Sequence, residues 1–110
     1  MKARYIQRGE SIDYTPEADV AAGDIIKIGK IVGIAKLDIK AGELGALALC
    51  GVYEIATNGT AIEAGAVVFV DPATGKVCAE GASGAVKFGH AVAAAAAADT
   101  LVLIRLEQGL

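Results

Sequence analysis

The sequence predicts a mostly β protein: one small domain folded as a β-barrel or sandwich, with an N-terminal arm and little helix. Three observations carry this. Glycines recur from Gly23 onward at gaps that rarely exceed ten residues, too close for helices of normal length. The segments between them are short and rich in β-branched residues. A short pattern, apolar-x-Ala-Gly, occurs three times, as Val20-Ala-Ala-Gly23, Ile39-Lys-Ala-Gly42 and Ile62-Glu-Ala-Gly65.

In chain order, residues 1–20 read as an arm, loose or paired at an edge. Basic Lys2, Arg4 and Arg8 come first and acidic Glu10, Asp13, Glu17 and Asp19 follow. Its large apolar groups are Tyr5, Ile6, Ile12 and Tyr14. Residues 21–110 form the β-rich domain. Strands are predicted over 24–28, 30–34, 45–49, 52–55, 66–70 and 100–106. A further strand is expected over about 86–93, followed by a short helical turn or loop in the alanine run Ala93–Ala98. Asn58-Gly59 lies between strand-like runs and predicts a tight hairpin. Asp71-Pro-Ala-Thr-Gly75 predicts a longer hairpin loop leading into Lys76-Val-Cys78. Each apolar-x-Ala-Gly pattern reads as a corner. Its Gly takes a positive φ, its apolar residue tucks inward, and a strand leaves. The starts are 19 and then 23 residues apart, too irregular for a solenoid.

Composition bounds the core and the partners. The hydrophobic fraction is 55%, but 23 of the 110 residues are alanine and there is no Trp. Large apolar side chains contribute about 1.5–3 kcal/mol each when fully buried. Their scarcity makes contacts between copies a natural source of further stability. The net charge is −3 and Lys and Arg do not cluster, which argues against a nucleic-acid partner. No apolar stretch is long enough to span a membrane. The first residues lack the apolar core of a signal peptide, so synthesis in a cytoplasm is expected. Cys50 and Cys78 carry no metal-type spacing and read as reduced, packed thiols.

No catalytic constellation emerges. His90 is the single histidine and no Gly-x-Ser-x-Gly elbow accompanies it. Metal ligands are scattered rather than clustered. The acidic pairs Glu10/Asp13, Glu17/Asp19 and Asp38/Glu43 read as solvated loop charge. Gly23–Lys30 imitates a phosphate loop, but five residues separate its glycines where four are needed, and Ile31 stands where Ser or Thr should be. Corners of this kind also occur in biotin- and lipoate-carrier barrels. Those need an exposed lysine beside Met or Asp at a hairpin tip, and Lys76 is flanked by Gly75 and Val77. No enzyme activity, cofactor or metal is expected.

Several blocks in order are similar to one family. They are Glu10-Ser-Ile-Asp-Tyr-Thr-Pro16, Ala21-Ala-Gly-Asp-Ile-Ile26, Val32–Gly45, Gly51-Val-Tyr53, Gly65–Asp71, Thr74-Gly-Lys-Val77, Gly89 and Val102–Leu106. They resemble the phage and prophage capsid cement, or head decoration, proteins, some of which carry a recombinase-like name. Cys50, His90 and the longer alanine run depart mildly from that pattern. The resemblance implies a trimer-forming β protein like the lambda-type head decoration proteins. Its partners would be the major capsid protein and its own copies, on the outside of an expanded shell. Tyr5, Ile6, Ile12 and Tyr14 are the candidate capsid contacts; the alternative is that they close the domain's own core. The competing function is a small β-barrel module binding a sugar or metabolite without catalysis.

Overall fold

A computed structural model describes residues 2–108. Met1, Gly109 and Leu110, at the outer ends of the expected arm and domain, lie outside the described residues. Nine strands follow in order: β1 (Ser11–Tyr14), β2 (Ile25–Ile28), β3 (Ile31–Ala35), β4 (Gly45–Ala48), β5 (Gly51–Ala56), β6 (Val67–Asp71), β7 (Lys76–Cys78), β8 (Val86–Ala91) and β9 (Leu101–Leu106). There is no helix among the described residues. The mostly β expectation therefore holds. The alanine run supplies turns rather than helix, because Ala95 is drawn into a bridge with Ile62.

The strands form two units. The first four make a sheet ordered β1-β4-β3-β2. The remaining five pair in a ring ordered β5-β7-β6-β8-β9. Six residue pairs join β5 to β9, whereas one parallel pair, Ala56 with Lys76, joins β5 to β7 and closes the ring.

Side-chain alternation distributes the core between these units. Val32, Ile34 and Ala48 face the ring and share a cluster with Ile55, Val70, Phe88, Ile104 and other buried ring residues. On the sheet's opposite face Ala35 and Leu47 join Val20 and Ile39 in a second, smaller cluster. The small sheet is thus apolar on both faces, which explains the nearly continuous apolar run Ile31–Ala35.

Corners assemble the second cluster. Val20 and Ile39 form an antiparallel bridge, and Ile62 forms the equivalent bridge with Ala95. The predicted corner conformation is present at all three patterns: Gly23, Gly42 and Gly65 have φ of 90°, 79° and 83°. Val20 and Ile39 are buried, and Ile62 is half-buried against the larger cluster. In the first pair each corner caps the other. The Ala41 N–H donates to Asp19 Oδ1 at 2.9 Å, and the Ala22 N–H donates to Asp38 Oδ1 at 2.8 Å. Two of the carboxylates that read as loop charge therefore hold corners together.

The two predicted hairpins diverge. Asp71–Gly75 is a hairpin loop, with Asp71 opposite Lys76 and the Gly75 N–H donating to the Asp71 carbonyl at 2.8 Å. Asn58-Gly59 is not a tight hairpin. Gly59 does take a positive φ, and Asn58 Oδ1 accepts from the Thr60 N–H at 3.2 Å. But β5 and β6 are ten residues apart and are not paired, since β5 takes β9 and β7 as neighbours. The tight turn that does occur is Gly29-Lys30, between the paired residues Ile28 and Ile31.

A β-bulge shapes the ring interior. On β8, Gly89 and Lys87 pair with consecutive residues Val68 and Phe69 of β6, so Phe88 has no partner there. The extra residue turns Phe88 fully into the core, where its ring meets Tyr53 edge-on at 6.3 Å between centroids. Its carbonyl accepts from the Glu107 N–H at 2.9 Å. Gln108 then ties the two units together. Its side-chain amide accepts from the Val32 N–H at 3.1 Å and donates to the carbonyls of Val32 and Leu49, completing backbone bonds as another strand would.

Candidate functional site

The titratable groups make pairs rather than reactive constellations. His90 Nδ1 is hydrogen-bonded to Glu107 Oε2, and both side chains are about two-fifths exposed. That contact, reinforced by the charges of Arg105 and Lys87, holds the Glu107 carboxyl below its ordinary range. Among the described residues no group of three or more His, Cys, Asp or Glu is placed to hold a metal ion. Both thiols are free, but Cys50 is exposed at the turn between β4 and β5 rather than packed. Cys78 is half-buried on β7, and burial and then Asp71 push its thiol up. The Tyr53 hydroxyl donates to the Cys50 carbonyl at 2.9 Å and is likewise pushed up, first by burial.

The four N-terminal residues separate into two pairs. Ile12 and Tyr14 lie on β1, opposite Leu47 and Gly45 of β4, and pack against the second cluster. Tyr5 and Ile6 precede β1 and are 77% and 70% exposed. Two large apolar groups beside three cations thus stand on a segment that no strand pairs with.

The outer wall of the ring is a second feature. Register places Val67, His90, Arg105 and Val52 in one row across β6, β8, β9 and β5. Leu103 and Leu101 extend the wall along β9, with Val92 beside it. Val52, Val67, Val92, Leu101 and Leu103 are all exposed. This apolar face was not singled out from the sequence, although a signal exists there. Leu101–Leu106 carries apolar residues at five of six positions, and an antiparallel strand with one wet, polar face should alternate.

The third feature is a groove of about 660 Å³ beside the free edge of β2. Its walls are the 14–20 loop, the start of β2, and Pro72 with Ala73 from the β6–β7 loop. Glu17, Asp19 and Asp24 line it, and no basic residue does.

The described surface combines a closed five-stranded ring, an open corner-rich sheet, an apolar wall and an acidic groove. The chain matches the phage cement protein family over residues 6–106, and it belongs to that family. Membership implies a structural role at the phage capsid. No curated protein matches the chain, and no solved structure does.

Proposed function

We propose that this protein decorates the outside of an expanded phage shell and stabilises it, without catalysis. Membership of the cement family across nearly the whole chain carries the reading. The apolar wall on β5, β6 and β9 supports it, because a monomer leaves such a face in water at a cost. Three copies assemble as a ring through a heterologous interface that closes. Each trimer touches several shell subunits, so individually weak contacts add. A surface present only on the expanded shell makes binding favour that state by differential affinity.

Tyr5 and Ile6 are the shell contacts best placed to act, being exposed and outside the core. Ile12 and Tyr14 contribute through the second cluster that seats β1. The protein is made in a bacterial cytoplasm from a phage or prophage gene, and needs neither nucleic acid nor membrane. A sugar-binding module would need clustered aromatic platforms, whereas Phe88 and Tyr53 pack in the core and Tyr5 stands exposed before β1.

The test is to add purified protein to mature shells that lack it, weigh the particles, and challenge them with heat and chelator. Saturable uptake with gained resistance is expected. Absence of both would end the capsid reading for that shell.

A further inference from the structure

The small sheet has two open edges, β1 and β2, each with a neighbour on one side only. In the two-residue β2–β3 hairpin, Ile28 and Ile31 form the hydrogen-bonded pair nearest the turn. Ile26 and Ile28 therefore direct their backbone groups at β3, and Ile25 and Lys27 direct theirs outward. The Ala35 N–H donating to the Asp24 carbonyl at 3.0 Å continues the same alternation. An extended segment laid beside β2 would find an unpaired row of donors and acceptors.

The acidic groove borders the start of this edge at Asp24, Ile25 and Ile26, while Lys27 farther along the edge lines a separate pocket with Lys30 and Lys87. Asp19 and Asp24 each use one carboxylate oxygen on a nearby backbone N–H, leaving the other oxygen free for a cation. Glu17 is exposed beside them. The chain contains a complementary segment. Residues 2–8 carry Lys2, Arg4 and Arg8, no acidic residue, and the exposed Tyr5 and Ile6. In an extended strand, even-numbered side chains share a face. Lys2, Arg4, Ile6 and Arg8 would thus point one way, with Ala3, Tyr5 and Gln7 opposite. Arg8 pairs with Glu10 at 3.0 Å, but both side chains are well exposed, so this contact is readily exchanged.

We propose that residues 2–8 of one copy add as a strand to the β2 edge of a second copy, cationic face toward Glu17, Asp19 and Asp24. The donor is a neighbour because β1 runs from Ser11 toward the groove, which Tyr14 lines, so residues 2–10 leave at the far end. Segment and groove are different surfaces, so the contact is head-to-tail and three copies can close it. Tyr5, on the opposite face of the added strand, stays available to a shell, whereas Ile6 turns to the neighbour and gives up its proposed shell contact. This inference rests on the proposed self-assembly and assigns its interface.

Full-length variants test it by sedimentation over a range of concentrations. Arg4→Glu with Arg8→Glu reverses the segment, and Glu17→Lys with Ala18→Lys reverses the groove without removing either Asp cap. Each pair is expected to weaken association at least about tenfold. All four substitutions together should restore it, and the Ile25 and Lys27 amides should exchange more slowly in the associated wild type. A wild type that stays monomeric at millimolar concentration, or variants that associate equally well, would overturn the proposal. Shell uptake by the same variants is read separately. Unchanged association with lost uptake sinks the inference and keeps the capsid role; association through the segment without uptake does the reverse.

Discussion

In the ring every strand has a neighbour on both sides, whereas β1 and β2 of the small sheet have one neighbour each. The ring encloses Phe88, Val70 and Ile104, all fully buried. The sheet's own cluster is four buried residues with Ile12, Tyr14 and Ile26 packed around them. Closure gives each ring strand two neighbours, and although the β5–β7 seam is a single residue pair, the ring's outward face acts chiefly through side chains. The sheet keeps free backbone at its edges and depends on corner loops to hold its second face. One unit is the frame; the other has the open edges on which strand addition is possible.

Glycine substitutions should break this contrast most sharply. A Cβ at Gly89 would overlap the Arg105 carbonyl oxygen, and backbone on a paired strand cannot step aside. Gly89→Ala is expected to abolish the cooperative fold, read by thermal melting. At Gly45 the added Cβ would first meet the Ile39 side chain rather than backbone, and that side chain can re-pack. Gly45→Ala should fold with a loss of about 1–3 kcal/mol. Equal losses at both sites would show that the ring is no stiffer than the sheet.

Truncating the two cores gives the next largest effect. Phe88→Ala should cost about 3–5 kcal/mol in denaturant titrations, and Leu47→Ala about 2–5. The losses should differ in reach. Phe88→Ala loosens amides throughout the ring, while Leu47→Ala loosens β1 and the corners first. Hydrogen exchange of both variants checks this.

Gln108→Ala addresses the joint. It leaves the Val32 N–H and the Val32 and Leu49 carbonyls without their partner, at about 1–3 kcal/mol. Faster exchange at Val32, with the ring protected as before, is expected if the units are held together there.

The smallest effect is a pH dependence. Glu107 has its folded pKa lowered, first by the hydrogen bond from His90. A lowered carboxylate stabilises the fold above its ordinary pKa and loses that contribution as pH falls through the lowered value. The melting-temperature difference between wild type and Glu107→Gln should therefore be present near neutrality and shrink in acid. A difference independent of pH would refute the coupling.

Much of the fold was legible in local chemistry. The corner glycines announce themselves because only glycine adopts that φ cheaply, and the preceding Val20, Ile39 and Ile62 mark the inward side. The Asp71–Gly75 loop was legible for the same reason. Asn58-Gly59 misled because a turn signal specifies bending and not which strands meet afterwards. Strand β1 was anticipated only as an arm that could pair at an edge, because Ser11–Tyr14 is short and carries Asp13, and its pairing with β4 is distant in sequence. Of the candidate contacts, sequence could not separate Tyr5 and Ile6 from Ile12 and Tyr14. All four look alike until packing assigns two of them to a cluster.

By itself the sequence determined a β frame with repeated corners, no clustered reactive groups, and a resemblance to capsid cements. Those properties follow from local backbone preference and residue inventory. Only the tertiary structure decided that five strands close and four do not, that Gln108 bridges them, and that an acidic groove faces an open edge. Each of these depends on which distant segments approach. That is set by the summed burial of the Phe88 and Leu47 clusters, a quantity no single stretch of chain contains.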